Sequence, residues 1–190
     1  MQKIKKVFLF SLLLLVLILA GWGYYVVLSG NFATVEKGVL YRSAQPDKED
    51  IERYTKQYAI RSILNLRGKD TDEWYKEEIQ TSKALGIAHY DLTLSAYRQP
   101  TTEDINTLIN ILKTAPKPLL IHCYGGADRT GLAVALYEYA INKEIDSQAK
   151  KNLSAFHGHL PFFNSNTLAM DKAFDAFVAS HHASLSKIAH

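Results

Sequence analysis

The sequence predicts an α/β domain, with a mostly parallel central sheet flanked by helices, and an N-terminal transmembrane helix before it. Three observations carry this prediction. After residue 30, short apolar runs alternate with segments of helical periodicity, which is typical of parallel sheets covered by helices on both faces. No internal repeat or low-complexity tract interrupts that region. An uncharged apolar run near the start of the chain is long enough to cross a bilayer.

The elements of the domain follow from apolar spacing and from capping residues. The predicted strands cover residues 39–41, 60–66, 87–92 and 118–121. The predicted helices begin at Asp47, at residue 71, at Thr101 or Thr102 and at residue 130, and two more follow, the last carrying Met170, Phe174, Phe177 and Val178. Asp47 and the threonines are residues that cap helices. Residues 118–121 are short, apolar and bounded by turns, as expected of a central parallel strand, and residues 130–142 are apolar on nearly every side, so that helix should be buried.

The charge of the chain is concentrated at its start. The sequence has 22 Lys+Arg and 19 Asp+Glu among 190 residues, a formal net charge of +3. Residues 1–30 hold three lysines and no acid, so residues 31–190 carry 19 basic and 19 acidic groups. A neutral domain lacks the basic footprint of nucleic-acid-binding proteins, so we expect no nucleic-acid partner. We therefore divide the chain into an anchor segment, 1–30, and one folded domain, 31–190, of ordinary size.

The apolar run covers residues 7–28, which contain no charge. A helix needs about 20 residues to span the hydrocarbon core of a bilayer. Lys3, Lys5 and Lys6 precede the run, so the positive-inside rule keeps residues 1–6 cytoplasmic and exports the domain. The expected location is the inner (cytoplasmic) membrane, with a single pass and an extracytoplasmic, periplasmic domain.

A cleaved signal peptide ending near Ala20 is the alternative to an anchor. Residues 18–20 make a poor cleavage site, and the apolar run resumes after Ala20 with Trp22 and Tyr24, which suit a membrane interface. The sequence therefore favours an uncleaved anchor.

Between the last predicted strand and the helix at residue 130 lies a glycine-containing loop. It runs His122, Cys123, Tyr124, Gly125, Gly126, Ala127, Asp128, Arg129, Thr130 and Gly131. A loop that joins the carboxyl end of a strand to a helix N-terminus directs backbone N–H groups toward one point, where the helix dipole favours anions. The two glycines let the backbone approach a ligand closely. A thiol placed there is expected to be ionised at neutral pH, and Arg129 offers a planar fork for two phosphate oxygens.

The spacing of this loop resembles the signature of a known superfamily. His122 and Cys123, then five residues, then Arg129, Thr130 and Gly131, are similar to the loop of cysteine-dependent protein tyrosine phosphatases, in their small bacterial dual-specificity-like branch. Residues 41–46 and 60–67 also resemble the opening of bacterial members. The resemblance implies a dual-specificity-phosphatase-like fold over residues 31–190 and an enzyme that hydrolyses phosphomonoesters.

The same resemblance assigns roles to the residues of the loop. It implies that Cys123 forms a phosphocysteine intermediate, and that Arg129 and the N–H groups of residues 124–129 bind the phosphoryl oxygens. It implies that Thr130 donates a hydrogen bond to the sulfur, that His122 orients the loop from behind, and that no metal or other cofactor takes part. The substrate-binding residues are then Tyr124, Gly125, Gly126, Ala127 and Thr130.

The general acid is the open point of this interpretation. In the related phosphatases an aspartate acts from a loop that corresponds here to residues 95–100, which contain no carboxylate. Asp91 has a similar spacing to Cys123 but lies within a predicted strand. Asp128, next to Arg129, resembles the aspartate of a bacterial group and of myotubularin-type phosphatases that is thought to supply the proton. We favour Asp128 as the acid, with Asp91 as the alternative.

The loop also indicates a substrate class. Residues 124–127 contain no Lys or His, and Asp128 adds negative charge, so phosphotyrosine, phosphoserine/threonine or a singly phosphorylated lipid is favoured over a highly charged substrate. Lys117 and Arg98 are candidate cations at the rim. A membrane anchor keeps phosphorylated proteins and lipids within reach.

Three alternatives to a catalytic loop are weaker. A lone cysteine is often a small buried apolar residue, and a sulfurtransferase also uses a cysteine in an anion-binding loop, but the glycines and the end of the loop agree better with a phosphatase. A phosphoprotein-binding module that turns over slowly is the rival from another class. The histidines His157, His159, His181 and His182 are assigned to structure or to the surface.

Overall fold

The computed structural model describes residues 2–161 and 167–188. These residues contain seven α-helices and five strands. The strands are β1 (Ala33–Glu36), β2 (Leu40–Ser43), β3 (Ser62–Asn65), β4 (Ala88–Asp91) and β5 (Leu119–His122). The helices are α1 (Gln2–Leu28), α2 (Lys48–Tyr58), α3 (Glu73–Ala84), α4 (Thr102–Thr114), α5 (Asp128–Ala140), α6 (Asp146–Ala149) and α7 (Leu168–Ile188). Short 3-10 turns at Lys150–Asn152 and Ala155–His157 follow α6.

The sheet has the order β1-β2-β5-β3-β4, with β5 at its centre. Strands β2, β5, β3 and β4 are parallel, and β1 pairs antiparallel with β2 at one edge. The predicted mostly parallel sheet and its central last strand are therefore confirmed. Strand β1 was not predicted, because four residues with little apolar character carry no clear strand pattern.

The side chains of β5 alternate between two apolar layers, as a parallel strand covered on both faces requires. Leu119 and Ile121 pack in the larger layer with residues of α4, α5 and α7, whereas Leu120 packs in the smaller layer with residues of α2. Helix α5 contributes nine buried residues and lies almost entirely inside the larger layer. A buried strand followed by a buried helix fixes both ends of the loop that joins them.

The capping residues define the helix ends close to their predicted positions. The side chain of Asp47 accepts from the N–H of Asp50 at the start of α2, and Thr101 forms a capping box with Asp104 at the start of α4. Such caps satisfy N–H groups that a helix leaves without partners. The acids that follow Thr101 are thus explained by the helix start.

Helix α1 differs from the other helices because its apolar side chains stay exposed. From Ile4 to Ile18 its large apolar residues are 47 to 74% exposed, so this part of the helix packs against nothing in the described chain. Residues 3–24 are long and apolar enough to cross a membrane. Large contiguous apolar surfaces of this kind mark sites of membrane or protein contact.

Candidate active site

The glycine-containing loop joins the central strand β5 to the buried helix α5. His122, the last residue of β5, pairs with Ser43 of β2 on one side and with Asn65 of β3 on the other. The loop therefore starts at the carboxyl edge of the sheet, between the ends of its two neighbouring strands, where ligands of open α/β sheets bind. Cys123 lies at the base of the loop and is 2% exposed.

Gly126 is required by the way the loop packs on β2. Its φ is +67°, and a Cβ atom there would lie 2.6 Å from backbone atoms of Ser43 and Ala44. Any other residue would clash with backbone and adopt a strained conformation. Gly125 has open space around its Cα, so the sequence-based argument for close approach holds for Gly126 alone.

Two side chains outside the loop hold its carbonyl groups. Arg42 is 1% exposed, and its Nη2 donates to the carbonyl of Gly126 (2.8 Å). Burial lowers the pKa of Arg42 to about 10, and the charge of Cys123 acts in the opposite direction. Nδ2 of Asn31 donates to the carbonyls of Gly125 and His157, each at 2.9 Å. Carbonyls tied back in this way leave the N–H groups of the loop to face a ligand.

Sequence reasoning missed both Arg42 and Asn31 as parts of the site. Arg42 follows the apolar residues Leu40 and Tyr41 in β2, and a charged residue directly after a strand's apolar run was the signal available. Asn31 belongs to the turn directly after α1, so the segment that leaves the helix contacts the loop of residues 122–131, which we call the phosphate loop. The same segment is also held by the end of β2, because the N–H of Ala44 donates to the carbonyl of Gly30 (2.7 Å).

Four consecutive backbone N–H groups of the loop have no acceptor among the described residues. Within the described part of the chain, no carbonyl or side chain accepts from the N–H groups of Tyr124, Gly125, Gly126 and Ala127. A row of free N–H groups forms an anion-binding concavity.

Arg129 is held at the mouth of this concavity by two carbonyl groups. Its Nη1 donates to the carbonyls of Leu94 (3.2 Å) and Leu66 (3.4 Å). Its Nε is buried and has no partner among the described residues. A buried guanidinium N–H without a partner is costly unless a ligand accepts from it.

The Thr130 hydroxyl does not make the predicted hydrogen bond to the Cys123 sulfur. The residue is 0% exposed, and its Oγ1 has no partner in the described part of the chain. Thr130 sits in the first turn of α5, where its side chain is enclosed by packing.

A buried cluster supports the loop from behind. His122 Nε2 lies 3.0 Å from Glu78 Oε1, and His89 Nε2 lies 2.6 Å from the same oxygen. The Glu78 side chain is 1% exposed. Burial alone would raise the pKa of Glu78, but His122 and His89 lower it to about 2. His122 therefore lies where the predicted orienting role places it, and Glu78 is the partner that sequence reasoning missed.

Asp91 is engaged at the end of β4 and is poorly placed to act as an acid. Asn65 donates to its Oδ1 (2.9 Å), and the Tyr75 hydroxyl donates to its Oδ2 (2.7 Å). Burial and the neighbouring Asp91 raise the pKa of Tyr75 to about 12, so this donor keeps its proton. Both oxygens of Asp91 thus carry structural hydrogen bonds.

Asp128 lies in the loop and contacts a histidine from a distant part of the chain. His159 Nδ1 is 2.6 Å from Asp128 Oδ1, and His159 Nε2 is 2.8 Å from Oδ2 of Asp171 on α7. Burial lowers the pKa of His159, but its hydrogen bonds to Asp128 and Asp171 outweigh this and raise it. We call these three residues the Asp128–His159–Asp171 array.

The four histidines that the sequence assigned to structure or to the surface have different surroundings. His159 is 2% exposed and contacts Asp128 of the loop, a contact that sequence reasoning missed because the partners of His159 are 31 and 12 residues away. Burial and the charge of Arg42 lower the pKa of the neighbouring His157 to about 4. His181 lies on α7 with its Nδ1 3.2 Å from the Tyr139 hydroxyl.

The rim of the loop carries one cation that sequence reasoning overlooked and lacks one that it proposed. The guanidinium of Arg67 lies 3.8 Å from the ring centre of Trp74 and 5.5 Å from that of Tyr124, which is 72% exposed. Lys117 instead donates to the carbonyl of Leu112 (2.7 Å) and precedes β5, so it lies at the opposite edge of the sheet from the loop.

A family model described as DSP-PTPase phosphatase fused to NAD+ kinase matches residues 27–169 of this sequence. The match covers the sheet, the loop and helix α5. The chain belongs to this family of dual-specificity-like phosphatases. The predicted family and enzyme class, a cysteine-dependent phosphatase domain, are thereby confirmed.

Known proteins of similar sequence and structure are phosphatases. The chain is 30% identical over 109 residues to the inositol diphosphatase SIW14 of Saccharomyces cerevisiae, covering 55% of this chain and 37% of that protein. It thus spans just over a third of the length of this relative. The solved catalytic core of the same yeast protein, described as a PP-IP phosphatase, has a TM-score of 0.60 at 22% identity, over 80% of this chain and 93% of that one.

A bacterial protein has a similar fold. TpbA of P. aeruginosa has a TM-score of 0.58 at 20% identity, over 78% of this chain and 88% of that chain. A cysteine-to-serine variant of TpbA has been solved in complex with phosphotyrosine, with a TM-score of 0.57 at 19% identity, over 79% of this chain and 91% of that one. These likenesses show the α/β phosphatase fold.

Proposed function

We propose that this protein hydrolyses phosphomonoesters through a phosphocysteine at Cys123. The observation that carries the proposal is the set of free donors around that residue: the N–H groups of residues 124–127 and the buried Nε of Arg129 have no acceptors in the described chain. Donors fixed in advance around a nucleophile stabilise the charge that develops on transferred phosphoryl oxygens. The sulfur of Cys123 attacks phosphorus, and the bond to the leaving oxygen breaks.

Asp128 is proposed as the general acid of the first step. It is part of the loop, whereas Asp91 is engaged through both oxygens by Asn65 and Tyr75. Asp128 gives a proton to the leaving oxygen. In the second step water attacks the phosphocysteine, the S–P bond breaks, and Asp128 takes a proton from the water.

The substrate class proposed is a singly phosphorylated protein side chain or lipid. No cation occurs in residues 124–127, and TpbA accommodates phosphotyrosine. A diphosphoinositol phosphate, whose outer phosphate is held by an anhydride instead of an ester bond, is a second candidate, favoured by the relation to SIW14 and by Arg67 next to Tyr124. Measuring kcat/KM for a phosphotyrosine peptide, a phosphatidylinositol monophosphate and a diphosphoinositol phosphate distinguishes the two candidates. The peptide or the lipid should have the highest kcat/KM under the first proposal, and the diphosphoinositol phosphate should have it under the second.

We propose that residues 7–28 anchor the protein in a membrane. The exposed apolar surface of α1 and the three lysines that precede residue 7 support this proposal. The positive-inside rule then places the phosphatase domain outside the cytoplasm, at the inner membrane. Resistance to carbonate extraction, together with protease digestion of the domain in spheroplasts, is the expected result. Release by carbonate, or protection of the domain until the cells are lysed, would contradict it.

The activity is tested with the full-length protein in detergent micelles and p-nitrophenyl phosphate, in the presence of EDTA. We expect turnover in the wild type and its loss in Cys123→Ser, with no effect of the chelator. A folded wild-type protein that binds phosphate without turnover would support the rival binding module.

Asp128→Asn tests the acid assignment separately. The variant should lose about 10²- to 10⁴-fold in rate with a poor leaving group such as phenol. It should form the phosphocysteine nearly normally from a good leaving group. Equal loss in the rate of phosphocysteine formation from both substrates would contradict the role of Asp128 as the acid.

A further inference from the structure

The array joins three separate parts of the fold at the phosphate loop. Asp128 opens α5, His159 follows the 3-10 turn at Ala155–His157, and Asp171 lies in the first turn of α7. The His159 side chain is 1% exposed, whereas those of Asp128 and Asp171 are 23% and 18% exposed. Among the described residues, these two carboxylates are the charged groups that bond to His159. A buried imidazole with a carboxylate on each nitrogen is not needed to fill space, since an apolar residue would do so at less cost.

We propose that His159, held by Asp171, is a positioning residue that supplies Asp128 with the proton used in catalysis and takes it back. The proposal deepens the proposed function and rests on it. It concerns how Asp128 reaches its acid form, which the loop residues alone do not explain.

Two hydrogen bonds in the array hold two protons. With both protons on the imidazole, His159 is an imidazolium between two carboxylates. When the proton on Nδ1 moves across the 2.6 Å bond to Asp128, Asp128 becomes a carboxylic acid and His159 is neutral, with Nε2–H still donating to Asp171. The acid form of Asp128 therefore arises without a proton from solvent.

The array gains and loses one proton during a turnover. As the S–P bond forms and the bond to the leaving oxygen breaks, Asp128 gives its proton to that oxygen. The array then holds one proton, on Nε2 of His159. When water attacks the phosphocysteine and the S–P bond breaks, Asp128 accepts the proton of the water, and His159 regains it. A histidine paired with a carboxylate is well suited to exchange protons near neutral pH.

Asp171 has the role of keeping His159 charged and correctly oriented. Its Oδ2 lies 2.8 Å from Nε2 of His159. This contact fixes the ring orientation in which Nδ1 faces Asp128, and it keeps a proton on Nε2. Both carboxylates favour the protonated imidazole, and this is the direction in which the pKa of His159 moves. Loss of Asp171 should thus weaken the array without removing it.

The test compares leaving groups in His159→Gln and Asp171→Asn, using the full-length protein in detergent micelles. With phenyl phosphate, whose leaving group needs a proton, we expect kcat to fall about tenfold or more in His159→Gln and less in Asp171→Asn. The rate of phosphocysteine formation from 2,4-dinitrophenyl phosphate should stay within about threefold of the wild type, because that leaving group needs no acid. The KM values should change little.

Asp175→Asn is the matched control. Asp175 lies one turn after Asp171 on α7 and pairs with Lys150 (2.6 Å) instead of a histidine. The same substitution there should leave kcat for both substrates unchanged. If Asp175→Asn behaves like Asp171→Asn, the effect belongs to α7 in general and the proposal is wrong.

A double-variant cycle gives the decisive outcome. If His159 acts through Asp128, then His159→Gln should have almost no further effect on kcat in an Asp128→Asn background. Additive losses, or equal losses in the rate of phosphocysteine formation from the two substrates, would overturn the proposal. Turnover that persists in Cys123→Ser would instead overturn the proposed function, so the two failures are distinguishable. Should His159→Gln not fold, as judged by circular dichroism, Asp171→Asn carries the same test.

Discussion

Two histidine–carboxylate clusters hold the phosphate loop, one behind it and one beside it. Behind the loop, Glu78 bonds to His122 and His89, and all three side chains are at most 8% exposed. Beside the loop, His159 bonds to two carboxylates that are 18% and 23% exposed. The first cluster has one carboxylate between two imidazoles, and the second has one imidazole between two carboxylates.

This difference indicates that the first cluster supports the loop, whereas the second can take part in proton transfer. A fully enclosed cluster exchanges protons with solvent or substrate at a high cost, so it suits a fixed position for the loop. A cluster whose carboxylates reach the surface can pass a proton to a bound substrate. The pKa of Glu78 is lowered to about 2 and that of His159 is raised, so both clusters favour charged forms, but only the second contains a loop residue proposed as the acid.

The largest effect is expected from breaking the enclosed cluster. Glu78→Gln removes the charge that pairs with His122 and His89, and should lower the free energy of unfolding by about 3–5 kcal/mol. Any loss of rate should be the same for good and poor leaving groups, because the cluster does not contact the acid. Urea unfolding of the full-length protein in micelles measures the first effect.

Glu77→Gln is the control on the same helix, since Glu77 is exposed. It should change the free energy of unfolding by less than about 0.5 kcal/mol. A Glu78→Gln variant as stable as this control would contradict the supporting role of the enclosed cluster.

The enclosed cluster should make the stability of the protein sensitive to acid. Because the pKa of Glu78 is lowered from 4.5 to about 2, its stabilising contribution is fully present above about pH 4.5 and is lost as the pH falls toward 2. The loss amounts to about 3 kcal/mol at about 1.4 kcal/mol per pKa unit. Between pH 5 and pH 3 the free energy of unfolding should fall by about 2 kcal/mol of this total in the wild type, and by less in Glu78→Gln.

The array should respond to pH in the opposite sense. A raised pKa means that the contribution of His159 to stability is fully present below the ordinary histidine value of about 6.5 and is lost as the pH rises through the raised value. His159→Gln should therefore destabilise the protein more at pH 5.5 than at pH 9, by about 1 kcal/mol, since the two carboxylates are partly exposed. The same difference at both pH values would contradict the charged array.

The last prediction concerns the rim and is the smallest. Arg67→Lys removes the planar stacking on Trp74 and Tyr124. KM for a phosphotyrosine peptide should rise about threefold, corresponding to about 0.6 kcal/mol at an exposed cation–π site. Steady-state kinetics check this, and an unchanged KM would show that the rim does not contact the substrate.

The elements and the loop were predictable because their signals are local. The apolar runs of β3 and β5, the Thr101 cap and the spacing from Cys123 to Arg129 are all contained in short stretches of sequence. Local patterns of this kind determine secondary structure and place a loop on it.

The supporting residues were not predictable because their partners are far apart in the chain. His122 and Glu78 are 44 residues apart, and Asn31 and Gly125 are 94 apart. His159 belongs to a short segment without helical or strand periodicity. Its contacts with Asp128 and Asp171 depend on the position of α7 in the folded protein. A single sequence does not show which distant residues pair, so the charged partners of the loop could be identified only from the structure.

The most direct test of the account is rapid acid quenching of Asp128→Asn with 2,4-dinitrophenyl phosphate. This variant should form the phosphocysteine but hydrolyse it slowly, because Asp128 also activates the water. The account predicts a burst of about one equivalent of dinitrophenol and a phosphoryl group on the peptide that contains Cys123, found by mass spectrometry. Continued turnover without a burst, and without a phosphoryl group on Cys123, would contradict it.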